Sequence, residues 1–220
     1  MLRKKDKINN TIKTYDSISS EYDKELYYIY YLKELKEFVK LLPKGAKVLD
    51  AGCGNGLVTK YLCDHGFSVV AIDASLNMLK VAKSKCSQAK FINVDIRKMK
   101  FEKNSFDAIF CYAVLIHVSK TECKKVLNNF KKFLKSNGIL FINVMEEIKK
   151  NENIYVSESL NNKYKTFFQY YSKSFFEKNL KQSFKIIKIF DRYFTDKNFE
   201  NEVCYGRNEF SIYAQKRINK

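Results

Sequence analysis

Along the chain the apolar and polar positions change rhythm once, near residue 43. From Ile8 to Leu42 the apolar residues recur at helical spacing, as in YYIYYLKELKEFVKLL, where Ile29, Leu32, Leu35, Phe38, Val39 and Leu42 share one face. Pro43 and Gly45 stop that pattern. Beyond them, short apolar runs alternate with amphipathic stretches. KVLDA (47–51), SVVAID (68–73), KFINVD (90–95), FDAIFCYA (106–113) and GILFINVM (138–145) predict strands. GLVTKYLCDHG (56–66), SLNMLKVAKSK (75–85) and KTECKKVLNNFKKFLK (120–135) predict helices, the second capped at or near Ser75. Strands alternating with helices imply right-handed βαβ crossovers and a doubly wound parallel sheet.

The rhythm breaks at 146–172, which is polar, rich in aromatics and without clear periodicity. At that length it reads as a lid or substrate-facing insertion rather than a connector. A helix (172–183) follows, then two alternating strands, FKIIKIFDRYF (184–194) and EFSIYAQK (209–216), joined by a loop in which Gly206 supplies a turn. The expected organisation is a single domain over 1–220. Residues 1–43 form a helical cover, 44–145 the core, 146–172 the insertion, and 173–220 a C-terminal helix and hairpin.

Composition narrows the class. The 220 residues carry 45% hydrophobic positions, enough for one buried core. No run is long and apolar enough for a membrane span or a secretory signal, which makes the cytoplasm the expected location. Cys53, Cys63, Cys86, Cys111, Cys123 and Cys204 form no CxxC pair and no His–Cys cluster, so neither disulfides nor a metal site is expected. A net charge of +17 suits nucleic acid. Only five of the 41 basic residues are arginines, however, and the lysines are spread over nearly every segment as solvated faces are.

The chemistry concentrates in VLDAGCGNG (48–56), which takes three of the chain's seven glycines. A glycine-rich turn between a strand and a helix lets backbone N–H groups approach a ligand at the helix N-terminus. Asp73 ends the next strand about 20 residues on, where an acidic residue accepts ribose hydroxyls. Together they indicate a nucleoside-containing cofactor. Dinucleotide sites use G-x-G-x-x-G; here Gly52, Gly54 and Gly56 stand two apart after Asp50.

That D-x-G-x-G-x-G pattern resembles motif I of the class I S-adenosylmethionine-dependent methyltransferases. The resemblance continues through YDSISSEYD (15–23), AIDAS (71–75), NVDIRKM (93–99), FDAIFCYAVLIHV (106–118) and LKSNGILFINV (134–144), the last with Ser136 and Asn137 where Pro and Gly are usual. It implies a Rossmann-like α/β fold whose seven-stranded, mostly parallel sheet runs 3-2-1-4-5-7-6 with the last strand antiparallel. It further implies S-adenosyl-L-methionine as cofactor and S-adenosyl-L-homocysteine as product. Gly52, Cys53 and Gly54 would line the methionine part, Asp50 would hold the loop, and Asp73 would take both ribose hydroxyls. Ala74 and Met78 would pack on the adenine, with Asp95 and Ile96 at its edge. The Cys111 backbone would approach the methionine amine, and Tyr15 and Tyr22 would cover the cofactor.

Plainer readings stand beside these roles. Met78 and the tyrosines could simply pack, and Asp50 and Asp73 could cap helices. His117, just after the fourth strand, is the candidate general base; it could equally orient its loop or stack on the cofactor. Tyr170, Tyr171 and Glu146 are weaker base candidates, and His65 reads as a structural helix end. The partner expected is a small-molecule methyl acceptor, with tRNA as a second possibility and a non-catalytic scaffold as a third. A monomer is expected, and no membrane partner. Tyr27, Tyr28, Tyr30 and Tyr31 could line a pocket, pack on the sheet or form a dimer face.

Overall fold

A computed structural model describes residues 4–22, 28–147, 153–158, 161–192 and 208–218. The helices are α1 (Lys4–Ile18), α2 (Tyr28–Lys40), α3 (Leu57–Asp64), α4 (Leu76–Lys85), α5 (Lys120–Phe133) and α6 (Lys173–Leu180). The strands are β1 (Lys47–Ala51), β2 (Ser68–Asp73), β3 (Lys90–Asn93), β4 (Phe106–Tyr112), β5 (Leu134–Met145), β6 (Asn153–Glu158), β7 (Asn161–Gln169), β8 (Phe184–Arg192) and β9 (Glu209–Lys216). Seven of them form one sheet in the order β3-β2-β1-β4-β5-β9-β8, with β9 antiparallel to both neighbours. This is the expected topology.

Alternation along the central strands sorts side chains onto two helix layers. Val48, Ala108, Phe110 and Phe141 face Leu35 and Phe38 of α2 and Val58 and Leu62 of α3. Phe110 and Phe141 stack at 4.4 Å between ring centroids, with Phe38 edge-on to Phe110 at 5.1 Å. Leu49, Ile109, Cys111 and Ile142 face the opposite way, onto Cys123, Val126 and Phe130 of α5 and Phe176 and Leu180 of α6. The first residue of β5 follows α5 directly. Asn137, standing where the resembled motif has glycine, adopts φ 63, a left-handed conformation that asparagine tolerates.

The expected N-terminal helices are two, α1 and α2: near the end of α1 the Ser17 and Ser19 hydroxyls donate to the carbonyls of Thr14 (2.7 Å) and Asp16 (3.1 Å), competing with the helix ladder. One expectation needs correcting: the insertion is not irregular, because β6 and β7 form an antiparallel hairpin. Its period was hidden because Thr166, Phe167, Phe168 and Gln169 are all buried, so no polar face alternates with an apolar one. β7 packs on α1 and on a short 3-10 turn, Leu115–His117. Nearly all of the 195–208 loop, with Gly206, and the side chains of Tyr27, Tyr28, Tyr30 and Tyr31 lie outside the described residues. No helix among the described residues is long and apolar enough to cross a membrane. They also contain no metal-holding group of His, Cys, Asp and Glu, and Cys53, Cys63, Cys86, Cys111 and Cys123 are free thiols.

Candidate active site

The strand order reverses between β1 and β4, and chain segments leaving their C-terminal ends border a cavity of about 280 Å³. Open α/β sheets bind ligands at such a switch point. After β1 the chain turns over Gly52 (φ 87) and Gly54 (φ 51) to the α3 N-cap, Gly56 (φ 81). The N–H groups of Gly52 and Cys53 both donate to the Ile72 carbonyl, at 2.8 and 2.9 Å, clamping the turn to the end of β2. A Cβ on Gly52 would lie 2.1 Å from Val114 Cγ2, whereas one on Gly54 would meet nothing within 4 Å. Gly52 therefore permits a close approach of backbone to side chain, and Gly54 borders open space.

Asp73 faces this turn from the end of β2. Its carboxylate accepts the Gly54 N–H at 2.9 Å and the Ser75 N–H at 2.8 Å, leaving acceptor capacity towards the cavity. Burial pushes its pKa up against those hydrogen bonds. Asp50 accepts the Thr59 hydroxyl at 2.6 Å, and burial, aided by the Asp73 charge, raises its pKa to about 7. The hydrogen bond thus ties Asp50 to α3. Asp95 accepts from Arg97 N (2.9 Å) and Arg97 Nε (2.9 Å); burial raises its pKa, but the guanidinium overrides this and holds it low. Arg97 also donates to Glu122 at 2.8 Å.

A roof of α1 and β7 covers the other side. Tyr15 Oη lies 3.1 Å from His117 Nε2, and His117 Nδ1 lies 2.9 Å from the Phe167 carbonyl. Tyr22 packs edge-on against Tyr15 at 5.9 Å, and Phe168 tilts over the imidazole at 5.0 Å. Burial lowers the His117 pKa to about 4, the Phe167 carbonyl acting against it. Tyr171 anchors the 3-10 turn beneath, its hydroxyl 2.5 Å from the Val118 carbonyl and 3.1 Å from that of Leu115.

The cavity is lined by Tyr15, Tyr22, Asp50, Gly52, Cys53, Gly54, Asp73, Ala74, Met78, Asp95, Ile96 and His117, all singled out from sequence. Cys111 is the exception. Its side chain is fully buried on the α5 face, and Tyr112, Ala113 and Val114 line the cavity in its place. Ala113 does so at φ 53, a strained conformation for a residue with a Cβ. Of the weaker base candidates, Tyr170 is buried outside the lining, Tyr171 is committed to its turn, and Glu146 pairs with Lys173 at 3.5 Å. His65 caps α3, its Nδ1 2.7 Å from the Tyr61 carbonyl.

Sequence reasoning missed Glu209 and Phe168, which come from strands without a motif. It also missed Arg97 and Asp16, although they stand inside the quoted NVDIRKM and YDSISSEYD segments. Four carboxylates (Asp50, Asp73, Asp95, Glu209) and one arginine line the cavity, and that arginine is engaged by Asp95 and Glu122. An acidic cavity inside a chain of net charge +17 favours a cationic ligand. Burial raises three of these carboxylates, Asp50, Asp73 and Glu209.

Residues 49–142 match the family model described as a methyltransferase domain. A ubiquinone biosynthesis O-methyltransferase of Pelagibacter ubique (strain HTCC1062) is 37% identical over 103 residues, 45% of this chain and 42% of that protein. The chain spans about half the length of the curated relatives it matches. Among solved structures, an S-adenosylmethionine-dependent methyltransferase of Methanosarcina mazei superposes with a TM-score of 0.71 at 18% identity, covering 83% of this chain and 97% of that one. The 1,6-didemethyltoxoflavin-N1-methyltransferase of Burkholderia thailandensis, solved with its acceptor and S-adenosylhomocysteine, gives 0.65 at 17% identity, covering 94% and 88%. At these identities the structures establish the fold.

Proposed function

We propose that the chain, whose residues 49–142 match a methyltransferase-domain model, is a class I methyltransferase that transfers a methyl group from S-adenosylmethionine to a small-molecule acceptor. The observation that carries the reading is the acidic, roofed cavity at the β1/β4 switch point, with Asp73 held against the glycine turn. S-adenosylmethionine, when bound, supplies a methyl group already activated on a sulfonium, so no covalent nucleophile is needed from the protein.

Each side chain then has a positioning task. Asp73 offers two oxygens to two vicinal hydroxyls, a match that a single-oxygen side chain lacks. Ala74, Met78 and Ile96 give the nucleobase an apolar slot, and Asp95 keeps part of its acceptor capacity beside Arg97. Asp50 and Glu209 leave the interior negative, which complements a sulfonium. The roof of Tyr15, Tyr22 and Phe168 excludes water, and alignment of two bound reactants supplies roughly 7–11 kcal/mol of the barrier. Glu209 and the other carboxylates disfavour an anionic acceptor. A monomer in the cytoplasm goes with this reading, with its thiols kept reduced.

Calorimetry with S-adenosylmethionine and S-adenosylhomocysteine, on wild type and Asp73→Asn, tests it. Micromolar binding that weakens at least tenfold in the variant is expected. Absence of binding to wild type sinks the reading. Salt-dependent methylation of bulk tRNA in preference to small acceptors replaces the acceptor class.

A further inference from the structure

The geometry points to a two-residue proton relay, Tyr15 to His117, that serves a hydroxyl-bearing methyl acceptor; this rests on the methyl-transfer reading above. The tautomer of His117 follows from its partners. A carbonyl oxygen only accepts, so the 2.9 Å contact with Phe167 O requires the proton on Nδ1. A neutral imidazole has one N–H, so Nε2 presents its lone pair, and the Tyr15 hydroxyl at 3.1 Å donates to it. The base nitrogen of His117 is therefore already engaged. A proton leaving the acceptor reaches it through the hydroxyl of Tyr15, a residue of the same cavity lining.

The step balances. As the S–CH3 bond breaks and the O–CH3 bond forms, the acceptor's O–H proton passes to Tyr15 Oη and the Tyr15 proton passes to His117 Nε2. The positive charge leaves the sulfonium, whose sulfur ends as a neutral thioether, and comes to rest on an imidazolium whose Nδ1–H still donates to Phe167. Reopening of the site to water returns the proton. The surroundings define the acceptor class. From α1 the ring faces Tyr15, with Tyr22 behind it, and from β7 it faces the Phe167 carbonyl and the Phe168 ring. None of these is charged at neutral pH, and burial keeps the imidazole a weak base. Such a base takes the strongly acidic proton of an oxygen being methylated, but does not deprotonate an alkylammonium.

Two measurements on the full chain test the relay. Nitrogen-15 histidine spectra have only His65 and His117 to assign. The expected result is the Nδ1–H tautomer for His117, neutral down to about pH 4, and loss in Tyr15→Phe of the Nε2 shift that marks an accepted hydrogen bond, while burial still keeps the ring neutral. Turnover is then read with radiolabelled methyl donor on phenol, catechol and cyclohexanol against benzylamine. Hydroxyl methylation should fall at least about a hundredfold in kcat in Tyr15→Phe and His117→Gln, and no further in the double variant, while S-adenosylhomocysteine affinity changes far less than kcat. An Nε2–H tautomer overturns the relay. So does turnover confined to the amine, absence of methylation of any of the three hydroxyl compounds, or hydroxyl turnover that Tyr15→Phe leaves within about threefold. Wild type that binds no S-adenosylhomocysteine overturns both readings; wild type that binds it and fails these tests overturns the relay alone.

Discussion

Asp16, on the roof helix α1, accepts the Ser75 hydroxyl at 2.6 Å across 59 positions of sequence. It also accepts the Asn77 N–H at 3.1 Å, while the Asn77 side chain donates to the Asp16 carbonyl at 3.1 Å. Ser75 is itself the N-cap of α4 and accepts the Met78 N–H. The roof is thus fastened to the helix end that follows Asp73. Asp16→Ala should cost about 1 kcal/mol, the usual worth of a helix cap, and lower S-adenosylhomocysteine affinity by about fivefold. Hydrogen exchange of the α1 amides should quicken alongside. Unchanged exchange in α1 would show that the clasp does not hold the roof.

The glycines of the turn separate stability from binding. Gly52→Ala forces a methyl group into Val114 at a positive φ and should destabilise the fold by about 3 kcal/mol. Val114→Ala in the same chain should restore about half of that. Gly54→Ala meets open space and should cost only about 1 kcal/mol, from its φ, yet its methyl group borders the cavity and should weaken ligand binding. Urea denaturation and calorimetry on the three variants separate these effects; equal destabilisation by Gly52→Ala and Gly54→Ala would refute the assignment.

Much of this site was legible because its residues sit at fixed offsets in a strand–turn–helix frame. Gly52, Gly54 and Asp73 are set by β1, β2 and the turn between them, all local in sequence. The roof was not legible in the same way. Phe168 lies in a run of consecutive buried residues at the end of β7, so no alternation marks it, and Asp16 reads as an ordinary helical carboxylate until Ser75 is brought to it. Cys111, expected to act through its backbone, keeps its side chain on the α5 face, while Tyr112 and the strained Ala113 border the cavity. Glu209 depends on the antiparallel insertion of β9 beside β5, a long-range pairing that no local pattern encodes.

Asp50 should give stability a pH dependence. Its pKa is about 7 in the folded chain against an ordinary 3.8, so the folded state holds the proton more tightly than the unfolded one. Stability therefore falls as pH rises from about 4 to about 7. Each pKa unit is worth about 1.4 kcal/mol, so the loss is at most about 4 kcal/mol. Asp50→Asn, which keeps an oxygen for the Thr59 hydroxyl, should lack this slope and melt above wild type at neutral pH. A cationic ligand favours the ionised carboxylate, so S-adenosylmethionine affinity should rise with pH through this range more steeply than that of S-adenosylhomocysteine. Parallel melting curves for wild type and Asp50→Asn across the range would contradict the assignment.

Glu34 on α2 is 2% exposed and is paired with the Arg192 guanidinium at the end of β8. Arg192 also donates to the Tyr112 hydroxyl at 3.1 Å, and Tyr213 donates to the Glu34 carbonyl at 3.0 Å, so the pair joins α2 to β4, β8 and β9. The second Glu34 oxygen is buried without a hydrogen-bond partner. Removing the guanidinium leaves a buried carboxylate with no compensating charge, and Arg192→Ala should destabilise by about 3–5 kcal/mol. Replacing both groups, Glu34→Leu with Arg192→Met, removes the uncompensated charge together with its partner and should recover most of that loss. Tyr112 borders the cavity, so Arg192→Ala should also weaken acceptor binding more than S-adenosylhomocysteine binding. A double variant no more stable than Arg192→Ala would mean that the arginine acts through its aliphatic packing rather than its charge.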